Sequence, residues 1–252
     1  SLLRAIRHFF KPRLPELRAM NGLHPATLDE TLIAAMQKTG FRILNLSLGS
    51  TNPDQQRRFG RPDLRTDFDR ALKAAAQQRL TAVGYLIAGS PGQSALSVVR
   101  DLLFLAGRRV LAALSIFYPA PGSLDFQNFR ARGLLPDDIA RWRATALPMG
   151  SQRERLEAAT LLRLARILNF MKSCLDEDGT LPAPARIDDG LRLAPEARVA
   201  NGRLLLRGFL DDGQIRGVDQ MGRVYVHQTA DDLIHAFQEG LGAIRLKGVR
   251  GS

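Results

Sequence analysis

The chain has a single cysteine, Cys174, among its 252 residues. A lone cysteine excludes disulfide bonds within the chain, which fits proteins of a reducing compartment. No run of about 18 apolar residues is present, so no segment is predicted to span a membrane. These two absences together predict a cytoplasmic protein that has no membrane partner.

Lysine is also scarce, with residues only at positions 11, 38, 73, 172 and 247, so arginine supplies nearly all of the basic charge. The formal net charge is +11, and a strongly basic protein is a candidate for a nucleic-acid partner. The arginines are dispersed along predicted helices and are not clustered with aromatic residues, which indicates a compositional bias. We therefore do not expect a nucleic-acid partner, and an RNA-modifying function is kept as an alternative hypothesis.

The sequence lacks the motifs of several common kinds of binding and catalytic site. The stretch GSPGQS has neither the lysine of a triphosphate-binding loop nor the spacing of a dinucleotide-binding turn. The four histidines, at 8, 24, 227 and 235, are far apart, which argues against a metal site. No local motif supports a Ser-His-Asp arrangement. The acidic pairs, such as Asp211 and Asp212, fall at predicted turns and helix starts, so we assign them structural roles.

Three short apolar runs end in the same way. FRILNLSLGS, LTAVGYLIAGS and RVLAALSIFYPAPGS each close at Gly-Ser, and a weaker fourth run, PELRAMNG, closes at Asn21-Gly22. Runs of this kind are typical of strands that are buried on both faces of a parallel sheet. Helical patterns lie between them, one of which is predicted to begin with Thr27 as N-cap and Glu30 completing a capping box. The order predicts an α/β fold with about four parallel strands, either a barrel or an open doubly wound sheet.

The pattern changes after Phe126. LLPDDIARWRATALP predicts a short helix, and a long amphipathic helix follows, capped by Ser151 and Glu154 and ended by Gly179. The tail from GRLLLRGFLDD to VYVHQ predicts short strands, followed by a helix near Thr229. We therefore expect the distal part of a barrel over 1–126, a helical segment over 127–178, and a small β-rich α+β appendage with one helix over 179–252.

In both architectures a ligand lies at the carboxyl ends of the strands. Polar residues cluster there in the sequence, and some, such as Asn45 and Ser47, interrupt apolar strands and need hydrogen-bond partners. These polar side chains can hydrogen-bond either to the backbone or to a polar ligand. Because several strands end in the same Gly-Ser pattern, we favour a ligand. The strand-end set is Asn21, Asn45, Ser47, Ser50, Arg61, Tyr85, Ser90, Gln93 and Tyr118.

These motifs occur together in one known superfamily. The stretch from NGLHPATLDE to RTDFDRAL, followed by VGYLIAGSPGQS and SIFYPAPGS, resembles the radical S-adenosylmethionine (SAM) superfamily over about residues 16–126. The resemblance is closest to the group whose members often carry an N-terminal cobalamin-binding domain, related to the methylthiotransferase and coproporphyrinogen-dehydrogenase branches. It implies a partial (β/α)6 barrel, SAM and a 4Fe–4S cluster as cofactors, and hydrogen abstraction from a small-molecule substrate by a 5′-deoxyadenosyl radical.

The resemblance assigns roles to individual residues. In the fourth-strand motif, LNLSLGS, Asn45, Ser47 and Ser50 fall in the SAM region, and Ser47 and Gly49 stand where glycine and an acid or amide are usual. Arg61 has the spacing of an arginine that meets the SAM carboxylate. The fifth-strand motif, with Tyr85, Leu86, Gly89 and Gln93, would meet adenine largely through its backbone. Phe117 and Tyr118, at the end of the sixth strand, would flank the adenine ring.

One departure concerns the cluster. The family holds it through three cysteines in C-x-x-x-C-x-x-C, and this motif is absent from the chain. Asn21-Gly22 already matches the end of the third strand, so we expect the C-terminal portion of a radical SAM enzyme, inactive alone, whose partner is the missing N-terminal half of the barrel. One alternative is a binding module that completes a barrel with a separate cluster-bearing chain. Another is a tRNA-modifying, methylthiotransferase-like protein. Cobalamin use in the full-length protein is left open.

Overall fold

Three parallel strands form the centre of the fold in a computed structural model that describes residues 2–138, 140, 150–188 and 190–250. The strands are β1 (Ile43–Gly49), β2 (Thr81–Ala88) and β3 (Leu111–Ile116), and they lie in the order β1-β2-β3. The helices before, between and after them are α1 (Leu2–Phe9), α2 (Glu30–Thr39), α3 (Pro53–Arg58), α4 (Arg65–Gln77), α5 (Ala95–Ala106), α6 (Leu124–Ala131) and α7 (Gln152–Asp178). The predicted α/β class is confirmed, and the described strands do not form a closed barrel.

Helices α4 and α5 pack on the same face of the sheet. Gly84, in the middle of β2, lies beneath both of them. A Cβ atom at this position would lie 3.0 Å from the Phe68 ring of α4 and 3.0 Å from the Leu105 side chain of α5. Real Cβ contacts are rarely that short, so glycine at position 84 lets the two helices approach the strand closely.

The opposite face of the sheet is only partly covered. Along β2, burial alternates at every residue because successive side chains point to opposite faces. The register places ten residues on the second face, which we call the half-buried face: Ile43, Asn45, Ser47, Thr81, Val83, Tyr85, Ile87, Leu111, Ala113 and Ser115. All of these except Asn45 are partly accessible to solvent. The described residues therefore cover the two faces unequally.

The outer edge of β3 is closed by α7. The side-chain amide of Asn169 donates to the Ala112 carbonyl at 2.7 Å and accepts from the Ala112 N–H at 2.8 Å. A side-chain amide can mimic the hydrogen-bonding groups of a peptide, so Asn169 satisfies backbone groups that an additional strand would otherwise pair. The sheet therefore ends at β3.

The outer edge of β1 is different. The fourth predicted strand, PELRAMNG, runs beside the start of β1, but among the described residues it forms only an isolated parallel bridge from Leu17 to Phe41, and the next residue, Leu23, forms another to Leu46. A turn between these bridges interrupts the ladder, since the Gly22 N–H donates to the Ala19 carbonyl at 3.0 Å. Three of the four expected strands have therefore formed, and the fourth is replaced by a loosely paired segment.

The helix boundaries follow local capping. Helix α7 has the predicted capping box between Ser151 and Glu154, and it ends at Gly179 with a left-handed φ of 74°. The predicted N-cap of α2 is wrong: Asp29 caps this helix, and its carboxylate accepts from the Leu32 N–H at 2.6 Å. The Thr27 hydroxyl instead donates to the His24 carbonyl at 2.8 Å within a single 3₁₀ turn.

The C-terminal region corrects the secondary-structure prediction. GRLLLRGFLDD, predicted as strand, belongs to helix α8 (Arg198–Asp212), and the only strands here among the described residues are the antiparallel pair β4 (Arg216–Val218) and β5 (Val224–Val226). Two glycines within α8 are packing positions. A Cβ at Gly202 would lie 2.9 Å from the Phe170 ring, and one at Gly208 would lie 2.6 Å from Ile187. The predicted closing helix is confirmed as α9 (Asp231–Gly242).

The helix predicted for LLPDDIARWRATALP falls largely outside the described residues. No described helix is both long enough and apolar enough to cross a membrane.

Lys172, on the buried side of α7, joins three parts of the chain. Its ammonium group donates to the carbonyls of Arg108 at 2.6 Å, Lys247 at 2.8 Å and Ala106 at 3.2 Å, so all three of its protons are used. Burial lowers the pKa of Lys172 from 10.5 to about 7, and the opposing charge of Asp176 limits this shift.

Replacing Lys172 by methionine should lower the free energy of unfolding by about 1–3 kcal/mol at neutral pH, because buried carbonyls lose their donor. The deficit should grow as the pH rises from about 7 towards 10.5. In that range the unfolded wild-type chain binds a proton that the folded chain does not, so the wild type gains stability with pH and the variant does not. Urea unfolding at several pH values measures both effects, with the exposed Lys38→Met as control. A deficit that does not change with pH would contradict the lowered pKa.

Candidate functional site

The carboxyl ends of the strands on the half-buried face bring several predicted residues together. Ser47 of β1 and Tyr85 of β2 are register partners and therefore lie side by side. Arg61 reaches this position from the loop after α3, where its Nη1 donates to the Ser47 hydroxyl at 2.9 Å and to the Ser47 carbonyl at 3.1 Å. The guanidinium has further N–H groups beyond Nη1, so Arg61 can bind a second acceptor such as a carboxylate.

The Asn45 side chain forms a hydrogen bond within the protein. Its side-chain amide donates to the Ala19 carbonyl at 3.1 Å, which ties the segment beside β1 to the sheet. The residue is buried, so this bond satisfies a polar group that water does not reach. Asn45 therefore has a partner within the protein, and its contact with a ligand stays a prediction.

The loop after β1 is held by a buried aspartate. The carboxylate of Asp101 on α5 accepts from the Ser50 hydroxyl at 2.7 Å, from the Thr51 N–H at 2.7 Å and from the Thr51 hydroxyl at 2.5 Å. Burial raises the pKa of Asp101, while these hydrogen bonds favour the charged form and limit the shift. Ser50, predicted as a ligand contact, is fully buried here and acts in this loop anchor.

The loop after β2, GSPGQ, is held by its own glutamine. The Gln93 side chain accepts from the Ser90 N–H at 3.2 Å and donates to the Ile87 carbonyl at 2.9 Å. The Ser90 hydroxyl in turn donates to Gln55 at 2.5 Å, which connects this loop to α3. Gln93 therefore shapes the loop, and it occupies a strand-end carbonyl that was predicted to meet a ligand.

Glycines make this loop open. Gly89 and Gly92 have φ values of 79° and 74°, in the left-handed region that other residues rarely adopt. A Cβ atom at either position would meet nothing within 4 Å. The backbone of this loop is therefore open at both glycines, and the contact between Gly89 and a ligand stays a prediction.

At the end of β3, Phe117 packs against Phe129 of α6, with ring centroids 6.4 Å apart. The hydroxyl of the following Tyr118 is buried and has no hydrogen-bond partner among the described residues. Burial also raises the pKa of Tyr118. An orphan buried hydroxyl is costly, so it marks a place where a ligand or water would stabilise the fold.

A cavity of about 470 Å³ lies between the GSPGQ loop, the end of β3 and the start of α7. Pockets for small molecules usually have volumes of about 300–1,000 Å³. Its lining includes Gly89, Gln93 and Phe117 of the predicted set, together with Phe129, Arg132, Glu154 and Glu157. Leu86 is absent from the lining because its side chain is buried on the helix-covered face.

The charges of the cavity are largely paired. Glu154 accepts from the Ser151 N–H at 2.6 Å, and this bond, aided by the charge of Arg132, lowers the pKa of its carboxyl group. Glu157 forms an ion pair with Arg153 at 2.9 Å. The cavity therefore combines an aromatic wall with a largely neutralised polar rim.

Two anchoring residues, Asp101 and Gln55, were missed from the sequence. Asp101 lies among buried apolar residues of α5, at the helical spacing of Val98 and Leu105. A lone acid on the apolar face of a helix must find donors, so its position could have predicted a partner in a neighbouring loop. The sequence position of Gln55 does not distinguish it from other glutamines, because its role depends on where α3 packs.

The described residues contain no group of three His, Cys, Asp or Glu side chains that could hold a metal ion. Cys174 is buried in α7, and burial raises the pKa of its thiol, which disfavours the thiolate that binds iron. The residues present therefore do not fit a 4Fe–4S cluster.

Replacing Asp101 by asparagine should lower the free energy of unfolding by about 1–3 kcal/mol, because an amide nitrogen cannot accept from Ser50 or Thr51. Urea unfolding should show a lower midpoint with an unchanged slope. Asp211→Asn, at the exposed end of α8, makes the same chemical change without a buried partner and serves as control. Equal stability of D101N and the wild type would show that this anchor contributes nothing.

Comparison with known proteins identifies no relative, since no protein-family model matches the chain and no curated protein matches it significantly. The resemblance to radical SAM proteins therefore stays a prediction from the sequence motifs.

Proposed function

We propose that this chain is the distal part of a radical SAM barrel and that it binds SAM across the carboxyl ends of β1, β2 and β3. The observation that carries the proposal is the half-buried face of the sheet, where Ser47, Tyr85 and the Arg61 guanidinium meet at adjacent strand ends. A polar, partly open sheet face at this edge is where α/β proteins bind their ligands.

The topology supports a barrel over a doubly wound sheet. In a doubly wound sheet the strand order reverses and helices cover both faces. Here the strands follow one another in sequence order, and α4 and α5 both lie on the face marked by Gly84. The half-buried face then corresponds to the interior of a barrel that these three strands line in part.

The residues present fit SAM at three points. Arg61 would pair with its carboxylate through the N–H groups that Ser47 does not use. The accessible backbone at Gly89 would approach the adenine, and Phe117 would contact the ring from the end of β3. When bound, SAM supplies a sulfonium carbon–sulfur bond whose reductive cleavage yields the 5′-deoxyadenosyl radical. The part played by the chain's own residues is to bind and orient the nucleoside.

The two sheet edges support a partner for this chain. Asn169 closes the β3 edge, whereas the segment beside β1 is loosely paired and exposes Leu14 and Met20. The β1 side is therefore the edge that favours the addition of further strands. We infer that the occupant of this edge is the cluster-bearing portion of the barrel, which supplies the cysteines that this chain does not hold.

Replacing Arg61 by glutamine should weaken SAM binding about tenfold, because a charge-assisted hydrogen bond to the carboxylate is lost. Isothermal titration calorimetry measures this. Binding of 5′-methylthioadenosine, which has the nucleoside but no carboxylate, should be unchanged in the same variant. The matched control is Arg57→Gln, an exposed residue of α3.

Three results would count against this function. Absence of SAM binding by the wild type would overturn the proposal. Equal weakening of both ligands by R61Q would assign Arg61 to loop structure instead of carboxylate recognition. If R57Q weakened SAM binding as much as R61Q does, the loss would reflect the general positive charge of the protein and not a specific contact of Arg61.

Anaerobic iron–sulfur reconstitution of this polypeptide alone should not yield a stoichiometric 4Fe–4S cluster, because it has one buried cysteine. Absorption spectra and iron analysis measure the outcome. A full cluster that persists in Cys174→Ser would contradict the expectation and require another ligand set.

A further inference from the structure

A second cavity, of about 640 Å³, lies near the amino-terminal ends of the strands, opposite the proposed SAM site and beyond the C-terminal end of α7. Its position follows from Arg109, two residues before β3, and from Gly179, which ends α7. We call it the amino-edge cavity. Its lining residues are Arg109, Leu175, Asp176, Gly179, Arg245, Leu246, Lys247, Gly248 and Arg250.

The chain over 245–250 is held in this place by its backbone. The Lys247 N–H donates to the Ala106 carbonyl at 3.1 Å, and the Lys247 carbonyl accepts from Lys172 at 2.8 Å. Asp176 accepts from the N–H groups of Val249 at 2.9 Å and Arg250 at 3.0 Å. The Arg109 side chain also holds the segment, since its Nη1 donates to the Arg250 carbonyl at 3.0 Å. Among the described residues, the basic side chains of the segment itself, on Arg245, Lys247 and Arg250, form no hydrogen bond that holds it.

Gly248 allows the close approach on which this geometry depends. A Cβ atom at position 248 would lie 2.0 Å from the Asp176 carboxylate. A larger residue at this position would therefore displace the Asp176 carboxylate from the N–H groups of Val249 and Arg250. Arg245 and Lys247 precede this contact and Arg250 follows it, so it helps to bring their side chains to one cavity.

Four cations line the cavity: Arg109, Arg245, Lys247 and Arg250. In the described part of the chain, none of the four takes part in an ion pair. The one carboxylate of the lining, Asp176, is occupied by backbone N–H groups. The acids that follow it, Glu177 and Asp178, are paired with Arg203.

Like charges in one concave site repel each other, and the repulsion is stronger there than on a flat, fully solvated surface. The negative end of the α7 dipole favours nearby cations by about 0.3–1 kcal/mol, which accounts for part of this concentration. Among the described residues, these four cations face the single carboxylate of Asp176, and the remaining positive charge exceeds what one helix terminus neutralises. An anionic ligand with several negative charges would satisfy them together.

We propose that the amino-edge cavity binds a small molecule that carries two or more phosphate groups. Arginine and lysine side chains are the usual partners of phosphate oxygens. The volume lies within the range of small-molecule pockets and exceeds what a single phosphate requires. The cations line a concavity, not an extended stripe, which favours a small ligand over a nucleic-acid backbone. The site is separate from the proposed SAM site and does not depend on it.

The test uses the full chain and pyrophosphate as probe, with isothermal titration calorimetry at about 50 mM salt so that screening does not mask the charges. The double variant Arg245→Gln/Lys247→Gln should weaken pyrophosphate binding at least about tenfold, since two charge-assisted contacts are lost. The matched control, Arg155→Gln/Arg166→Gln, removes the same charge from exposed positions of α7 and should change binding less than about twofold. Both double variants should keep the wild-type melting temperature.

Three outcomes would overturn the proposal. The wild type could fail to bind pyrophosphate, or both double variants could weaken it equally, which would indicate general charge attraction. A duplex oligonucleotide could bind in an R245Q/K247Q-dependent way while pyrophosphate does not, which would make this surface a nucleic-acid interface. SAM binding, measured in parallel, should be the same in all of these proteins.

Discussion

The polar stripe of α7 is the constraint on which the rest of the structure depends. Asn169, Lys172 and Asp176 recur at spacings of three and four residues, so they lie along one side of the helix. Each satisfies backbone groups of another segment: Asn169 at the edge of β3, Lys172 after α5, and Asp176 in the chain over 245–250. Buried backbone groups without partners are costly, so this stripe determines where the sheet ends and where the last residues dock.

The same helix separates two candidate sites. Its first turns line the cavity beside the GSPGQ loop, and its last residues line the amino-edge cavity. The first turns lie beside an aromatic wall and largely paired charges. The last residues lie beside four cations that form no ion pair with any described residue. A nucleoside at the carboxyl ends of the strands would therefore contact one end of α7. A phosphate-bearing ligand in the amino-edge cavity would contact the other end, where the side chains are of a different kind.

At the strand ends, three of the predicted ligand contacts form hydrogen bonds within the protein. Ser50 bonds Asp101, Gln93 bonds its own loop, and Asn45 bonds Ala19. The groups left for a ligand are the remaining N–H groups of Arg61, the open backbone at Gly89 and the orphan hydroxyl of Tyr118. Residues that shape a loop and residues that bind a ligand are both polar. The sequence alone therefore could not distinguish the two roles.

The sequence by itself determined the elements whose signals are local. Apolar runs ending at Gly-Ser predicted the three strands, and Ser151, Glu154 and Gly179 predicted both ends of α7. Only the tertiary structure decided that Gly202 and Gly208 belong to a helix, because their meaning depends on Phe170 and Ile187 packing against them. It also decided the partners of Asn169, Lys172 and Asp101. These partners lie about 50 residues or more away along the chain, and no local periodicity records which backbone group a buried polar side chain will meet.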